Sequence, residues 1–325
     1  MNFSNTFIAG CAAIGGKLES EGPLGSRFDR CETDGYFGKE TWEQAESEMS
    51  RSAVELLLKK TRTAAESVDV MLGGDLLNQC TATGFAANSL PIPFLGLYGA
   101  CSTAAESMLI GAAFVSAGYA DTAVAVASSH FCSSERQFRF PLEYGSQRPP
   151  MSQTTVTGAG AFLIARRGSV RIARAAVGEV TEKGITEPNN MGAAMAPAAA
   201  DTLLKFLSLS GGSLEDYDAV ATGDLGYEGS AMLLELLRAE GICGKDRLCD
   251  CGLMIFDREK QDVHAGGSGC GCSACVMAAH FCERMRRKEI NRMLFIGTGA
   301  LLSPKTVLQK QTIPGVAHLI ELESV

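Results

Sequence analysis

The chain has 325 residues, 46% of them hydrophobic and 20% charged, with a formal net charge of −8. This is the composition of a globular protein, long enough for two ordinary domains or one large one, and it excludes a disordered chain. The acidic balance, with no Lys/Arg run interleaved with aromatics, argues against nucleic-acid binding.

The elements are legible in chain order. Residues 6–13 form an apolar run that reads as a strand, with no basic segment before it as a signal peptide would need. Residues 42–61 have helical spacing, 68–72 read as a strand and 76–88 as a helix. Residues 101–118 make a helix of small residues, 122–128 a buried strand and 158–166 another. The second half repeats the pattern. It has strands at 170–180, 217–222, 252–256 and 292–297, and helices at 198–209, 228–240 and 272–287. The most apolar stretch, 109–128, is interrupted by Asp121 and two glycines, so no membrane span is expected and any membrane role runs through a partner. The basic residues Arg284, Arg286, Arg287 and Lys288 end a helix and read as its solvated C-terminus rather than a membrane-contact patch.

Two matches in the same order indicate an internal duplication. Residues 68–76 and 217–225 both close a strand on Gly-Asp-Leu, at Asp75 and Asp224. The segment around Cys101 resembles that around Cys272, each opening a small-residue helix followed by a strand. The division falls into residues 1–168 and 169–325. Alternation of strand and helix predicts α/β halves with parallel strands, packed as a five-layer αβαβα sandwich. Sites in such sheets lie at the strand carboxyl ends, where Asp75, Cys101, Asp224 and Cys272 fall.

Cys101 follows a turn and begins a helix, where the N-terminal dipole and free amides favour a thiolate, with Ser102 and Thr103 placed to cap that end. It reads equally as a nucleophile or as a small buried thiol at a tight helix start. His264 precedes a Gly/Ser-rich loop that opens a helix; it is placed to activate a thiol, although a lone His is more often structural. The segment 135–148 carries Arg136, Arg139 and Arg148 among aromatic and turn residues. These could clamp a small dianion through paired carboxylates, or could simply form surface ion pairs.

The 12 cysteines, with no export signal, point to a reducing compartment, and hence to cytoplasmic synthesis. Five of them, Cys249, Cys251, Cys270, Cys272 and Cys275, have a spacing that superficially mimics a zinc site. No C-x2-C pair is present in both parts, and glycines crowd Cys270 and Cys272, so no metal is expected.

The whole pattern resembles the thiolase superfamily. More narrowly, the strings GLYGACSTAAES (96–107), RQFRFPLEYGSQRPP (136–150), TVTGAGA (155–161) and QDVHAGGSGCGCSA (261–274) are similar to those of the stage V sporulation protein AD family. The resemblance implies a thiolase fold, a homodimer and no cofactor. It implies a spore protein that binds dipicolinic acid (pyridine-2,6-dicarboxylic acid), free or as its calcium salt. It also implies work with membrane proteins of the same transport system, peripheral to the spore inner membrane. Carried over by motif, Cys101 matches the nucleophile and His264 resembles the thiolase His before a Gly-rich helix start. Where condensing enzymes keep a His or Asn there is Asp224, which cannot stabilise an enolate while ionised. Where thiolases carry a second Cys there is Gly297.

Three functions follow as expectations. The first is a binding protein whose cleft holds the dicarboxylate with Cys101, His264, Asp224, Arg136, Arg139 and Arg148, and Tyr144 or Phe138 against the ring. The second is an acyl-CoA-dependent acyltransferase or condensing enzyme on Cys101, with His264 as activator. The third is a zinc-dependent structural protein.

Overall fold

Apolar strands alternate with helices along the chain and assemble into two five-stranded arrangements of the same order. The computed structural model describes residues 1–138, 148–242 and 244–325; Arg139 and Tyr144 lie outside the described residues. The first half runs β1 (Phe7–Gly15), α1 (Lys17–Ser20), β2 (Arg30–Cys31), α2 (Trp42–Thr61), β3 (Val70–Gly74), α3 (Thr81–Asn88) and β4 (Phe94–Gly96). It continues through α4 (Thr103–Ala117), β5 (Thr122–Ser129), α5 (Phe131–Phe138), β6 (Thr154–Thr155) and β7 (Gly158–Ala165). The second half runs β8 (Val170–Ala176), α6 (Met191–Ser210), β9 (Ala219–Thr222), α7 (Gly226–Ala239), β10 (Leu248–Asp250), α8 (Cys251–Met254) and β11 (Gly267–Ser268). It ends with α9 (Cys270–Val276), a π turn (Met277–Phe281), α10 (Cys282–Arg286), β12 (Arg292–Ala300), α11 (Pro304–Leu308) and β13 (Gly315–Ser324).

The strand order is β4-β3-β5-β7-β1 in the first half and β10-β9-β12-β13-β8 in the second. First, second and later strands correspond one to one, which makes the duplication a property of the fold as well as of the sequence. The halves join where Phe7 and Ile8 pair with Arg171 and Val170. The strands are not all parallel as expected. β3, β4 and β5 run parallel, but β7 returns antiparallel between β5 and β1, and β13 does the same between β12 and β8.

Strand alternation explains the layers. Val70, Leu72, Ala123 and Ala125 of the first half, with Ala219, Ala221, Met293 and Phe295 of the second, face a shared core that also holds α4 and α9. The opposite faces carry Met71, Val124 and Val126 against α2, and Val220, Leu294 and Ile296 against α6 and α7. The result is helix, sheet, helix, sheet, helix. It also explains why residues 100–117 are long and apolar enough to pass for a membrane span. A helix between two sheets is apolar all round.

Two expected elements differ. The strand expected at 252–256 is the short helix α8, because the Asp250 carboxylate accepts from Leu253 N at 3.2 Å and caps a turn; the strand is β10, just before it. The helix expected from 76 starts only at Thr81. Asp75 accepts from Leu77 N at 2.9 Å and from Thr83 N at 2.7 Å, and Gln79 and Cys80 take left-handed backbone conformations. An ion network centred on a buried carboxylate ties β12, β13 and β8 of the second half together. Glu321, 1% exposed, meets Arg174 and Arg292, and Tyr217 Oη donates to it at 3.2 Å.

Candidate functional site

The chain leaves β4 and turns sharply at Gly99-Ala100. Ala100 is left-handed (φ 50°), a conformation that a residue with a Cβ adopts only when its surroundings enforce it. Ser102 Oγ donates to Gly99 O at 2.6 Å and Thr103 Oγ1 to Ala100 O at 2.7 Å. The two hydroxyls therefore bind turn carbonyls and do not cap the helix amides. Cys101, at the tip of this turn, is 4% exposed.

Its surroundings come from the second half. Cys101 Sγ lies 4.0 Å from Ser268 Oγ, whose hydroxyl in turn donates to the Asp224 carboxylate. Asp224 follows β9 and is fully buried. It accepts from Gly269 N at 2.8 Å, Thr298 Oγ1 at 2.9 Å and Ser268 Oγ at 3.2 Å. Burial raises the Asp224 carboxyl to about 6, and the neighbouring thiol with the bonds from Gly269, Thr298 and Ser268 only partly opposes it. Burial, followed by the Asp224 charge, pushes the Cys101 thiol well above its usual range. The expectation that the helix start favours a thiolate is thus reversed. A dipole at a helix end is worth less than complete desolvation beside a carboxylate.

A second carboxyl supports the first. Asp250 accepts from Thr222 Oγ1 at 2.7 Å, Leu225 N at 2.8 Å and Gly226 N at 3.1 Å, fixing the turn that carries Asp224. Burial raises Asp250 to about 7, and the neighbouring Asp224 adds to the rise. Gln153 Nε2 donates to Asp224 O at 2.7 Å and Gly267 O at 2.8 Å, tying the turn to β11.

His264 stands elsewhere. Its backbone bridges Gln153, its φ is 52°, and its Nε2 lies 3.1 Å from Asp262 Oδ1. Among the described residues no hydrogen bond joins it to Cys101. The group opposite the thiol is Asp224, with Ser268 beside it. Arg136 forms a two-pronged pair with Glu43 and lies 5.0 Å over the Trp42 ring. Arg148 donates to Thr154 Oγ1 at 2.7 Å and Asp262 O at 3.2 Å, and lies 5.7 Å over Phe131. A cavity of about 630 Å³ opens between the turn after β3, α5 and α11, lined by Leu77, Asn78, Arg136, Gln137, Phe138 and Val307. These elements follow β3, β5 and β12, so the cavity lies at the same carboxyl-terminal end of the strands as Cys101.

The cysteine cluster resolves into separate hydrogen bonds. Cys270 Sγ reaches Ser128 O at 2.9 Å, Cys272 Sγ Gly223 O at 4.0 Å, Cys275 Sγ Ile14 O at 3.5 Å and Cys249 Sγ Val220 O at 3.7 Å. Among the described residues no three His, Cys, Asp or Glu side chains are grouped to hold a metal ion.

The family model of stage V sporulation protein AD matches residues 1–323. Stage V sporulation protein AD of Bacillus subtilis (strain 168) is 42% identical over 318 residues, covering 98% of this chain and 94% of that protein. The chain belongs to the stage V sporulation protein AD family. Solved structures of OleA from Xanthomonas campestris share the fold. A glutamate-to-glutamine variant superposes with a TM-score of 0.64 at 16% identity, covering 99% of each chain. The cerulenin-bound form gives 0.65 at 16% identity, covering 99% of this chain and 98% of that one. The fold is therefore that of the thiolases, and the membership supports a role in sporulation.

Within this family member, Asp224 and Cys101 were legible as candidates, whereas Ser268, Thr298 and Asp250 were not singled out. Ser268 sits in the Gly/Ser loop before α9, and Thr298 between the glycines of β12. Chemically, the site holds a neutral thiol, a carboxyl that titrates near 6 and two hydroxyls. Among the described residues the groups nearest the thiol are the Asp224 carboxyl and the Ser268 hydroxyl, and no imidazole is hydrogen-bonded to it.

Proposed function

We propose that this sporulation protein binds dipicolinic acid and supports its loading into the developing spore together with membrane proteins, without catalysing condensation. The observation that carries this reading is the pairing of Cys101 with Asp224. A nucleophilic thiol needs a base to remove its proton, and a buried carboxylate beside it keeps the proton on sulfur. Family membership supplies the sporulation context, and a thiol pushed well above its usual range by burial and by the Asp224 charge favours binding over chemistry.

A planar dicarboxylate suits Arg136, which lines the cavity. The Arg136–Glu43 pair is partly exposed, and exposed ion pairs are weak enough for a ligand carboxylate to displace Glu43. Delivery would be peripheral to the spore inner membrane, through partners. A homodimer fits the outer edge of β4, which has no partner strand among the described residues and exposes Leu95 and Tyr98. Light scattering at the mass of a monomer would exclude the dimer.

The binding test is calorimetric titration with dipicolinic acid. Wild type and Cys101→Ala are expected to bind, and Arg136→Ala, Arg139→Ala and Arg148→Ala each to weaken binding about tenfold or more, the loss of one charge-assisted bond. Unchanged affinity in all three removes the arginine clamp. No heat with wild type rejects the ligand, and acyl-CoA labelling of Cys101 then tests the acyltransferase alternative.

A further inference from the structure

The cavity beside Arg136 already contains an anion of the chain's own, the Glu43 carboxylate from the first turn of α2. Both prongs of the guanidinium are engaged. Arg136 Nε donates to Glu43 Oε1 at 3.1 Å, and Nη2 donates to Oε2. Arg136 is also held from other directions. Trp42, the chain's single tryptophan, has its ring centroid 5.0 Å from the guanidinium carbon, and Tyr36 stacks on Trp42 at 6.0 Å. Gln137, the next residue, donates to Leu76 O and accepts from Asn78 N, both at 2.9 Å. One turn earlier, Ser133 Oγ donates to the buried Glu46 at 2.7 Å. These contacts fix α5 and the plane of the guanidinium. A ring contact uses the guanidinium face and leaves its N–H edge free to change partners.

We propose that Glu43 is a built-in competitor at Arg136 that sets the affinity and selectivity of the cavity: a ligand carboxylate takes its place while Trp42 keeps the guanidinium where it is. This inference rests on the reading that the cavity takes a carboxylate ligand. It assigns Glu43 a role in opposing weak ligands and Trp42 a role in positioning Arg136. A neutral ring offers nothing to the fork and leaves the Arg136–Glu43 pair closed. A planar carboxylate matches both prongs and replaces Glu43 bond for bond.

The displaced carboxylate has a place to turn to. Glu43 and Thr81 line this cavity and also a second one of about 590 Å³, where Lys39, Gln44 and Arg51 stand. The first turn of a 20-residue helix favours a negative charge whether or not Arg136 is bonded to it. Burial opposes the Glu43 charge, but the bond from Arg136 outweighs it and holds the carboxyl below its usual range. Giving up that bond is therefore a cost that any ligand must meet. The Glu43 charge, left nearby, also repels a second carboxylate on the ligand. Both effects disappear when Glu43 loses its charge.

The test is calorimetric titration of the full-length protein, wild type and Glu43→Gln, with dipicolinic acid and with its neutral diamide. Glu43→Gln is expected to bind dipicolinic acid about fivefold more tightly, the upper range for a partly exposed ion pair, and to bind the diamide no better than wild type does. Glu43→Ala, which removes the side chain altogether, is expected to show the same gain. Trp42 fluorescence is expected to change with dipicolinic acid in all three proteins, because the cation over its ring exchanges one anion for another. Equal or weaker affinity in both variants, with wild type binding, overturns the competitor role and leaves the cavity reading in place. Heat without a Trp42 response overturns it as well, since the ligand then sits elsewhere. An equal gain for the diamide does the same, since Glu43 would only fill space. No heat in any of the three proteins rejects the inference and the cavity reading together.

Discussion

Replacing Asp224 with Asn is expected to raise the rate at which iodoacetamide alkylates Cys101 at a mildly alkaline pH by about tenfold or more. Two unit charges about 4 Å apart interact by roughly 4 kcal/mol at an effective dielectric near 20. At about 1.4 kcal/mol per pKa unit, even a third of that energy moves the thiol by about one unit. Asn keeps the shape of the side chain and removes the charge that faces the developing thiolate. Burial, the larger cause, remains, so Cys101 stays above the usual thiol range in the variant. Mass spectrometry of the Cys101 peptide, with Cys101→Ala as background, gives the rate. Equal rates in wild type and variant would show that Asp224 is not what suppresses the thiol.

The same substitution has a pH signature in stability. Asp224 is raised in the folded state to about 6, so the fold holds its proton more tightly than the unfolded chain does. Its contribution to stability is complete below the ordinary carboxylate range and is lost as pH rises through about 6. The denaturant midpoint of wild type is therefore expected to fall across that window relative to Asp224→Asn.

How far the site was legible follows from what each residue must do. The duplication placed Asp75 and Asp224 at equivalent strand ends, and the fold keeps that equivalence in β3 and β9. It does not keep the roles. Asp75 turns back to hold Leu77 and Thr83 of its own segment, whereas Asp224 turns toward Cys101 across the half boundary. A motif match fixes backbone position, and side-chain direction depends on what the other half presents. His264 illustrates the converse. It has the residue type and the loop context of an activating base, yet its ring pairs with Asp262, and the residue at the thiol from that loop is Ser268, four positions on. The 252–256 segment was misread for a local reason: the capping carboxylate of Asp250 outweighs the apolar run after it. Composition and periodicity were sufficient for the layers because burial on both sheet faces demands them. They do not show that Arg136, which faces the cavity, is already paired with Glu43.

Gly297→Cys, which would put a thiol where thiolases carry their second cysteine, is expected to destabilise the protein by about 3 kcal/mol and to leave it without condensing activity. β12 passes directly beneath the start of α4. A Cβ at Gly297 would stand 2.5 Å from Ala105 Cβ and 3.2 Å from Ser102 O. The neighbouring Gly299 is as tight, with its Cβ position 2.3 Å from Gly99 O. These atoms belong to the turn and helix that present Cys101, so they cannot yield without moving the thiol away from Asp224 and Ser268. Overpacking of this kind typically costs about 1–3 kcal/mol, and more where backbone is the neighbour. Urea denaturation measures the loss, and a shift below about 0.5 kcal/mol would mean that the strand and helix have room the geometry denies. The contact also argues against a simple reversion to catalysis. Restoring the second thiol alone meets the close packing of β12 on α4, and restoring a base alone meets the hydroxyls and amide that hold Asp224. Close packing at Gly297 and the bonds that hold Asp224 constrain both positions, so placing a second thiol and a new base there would need coordinated change at Gly297, Asp224 and the helix start together.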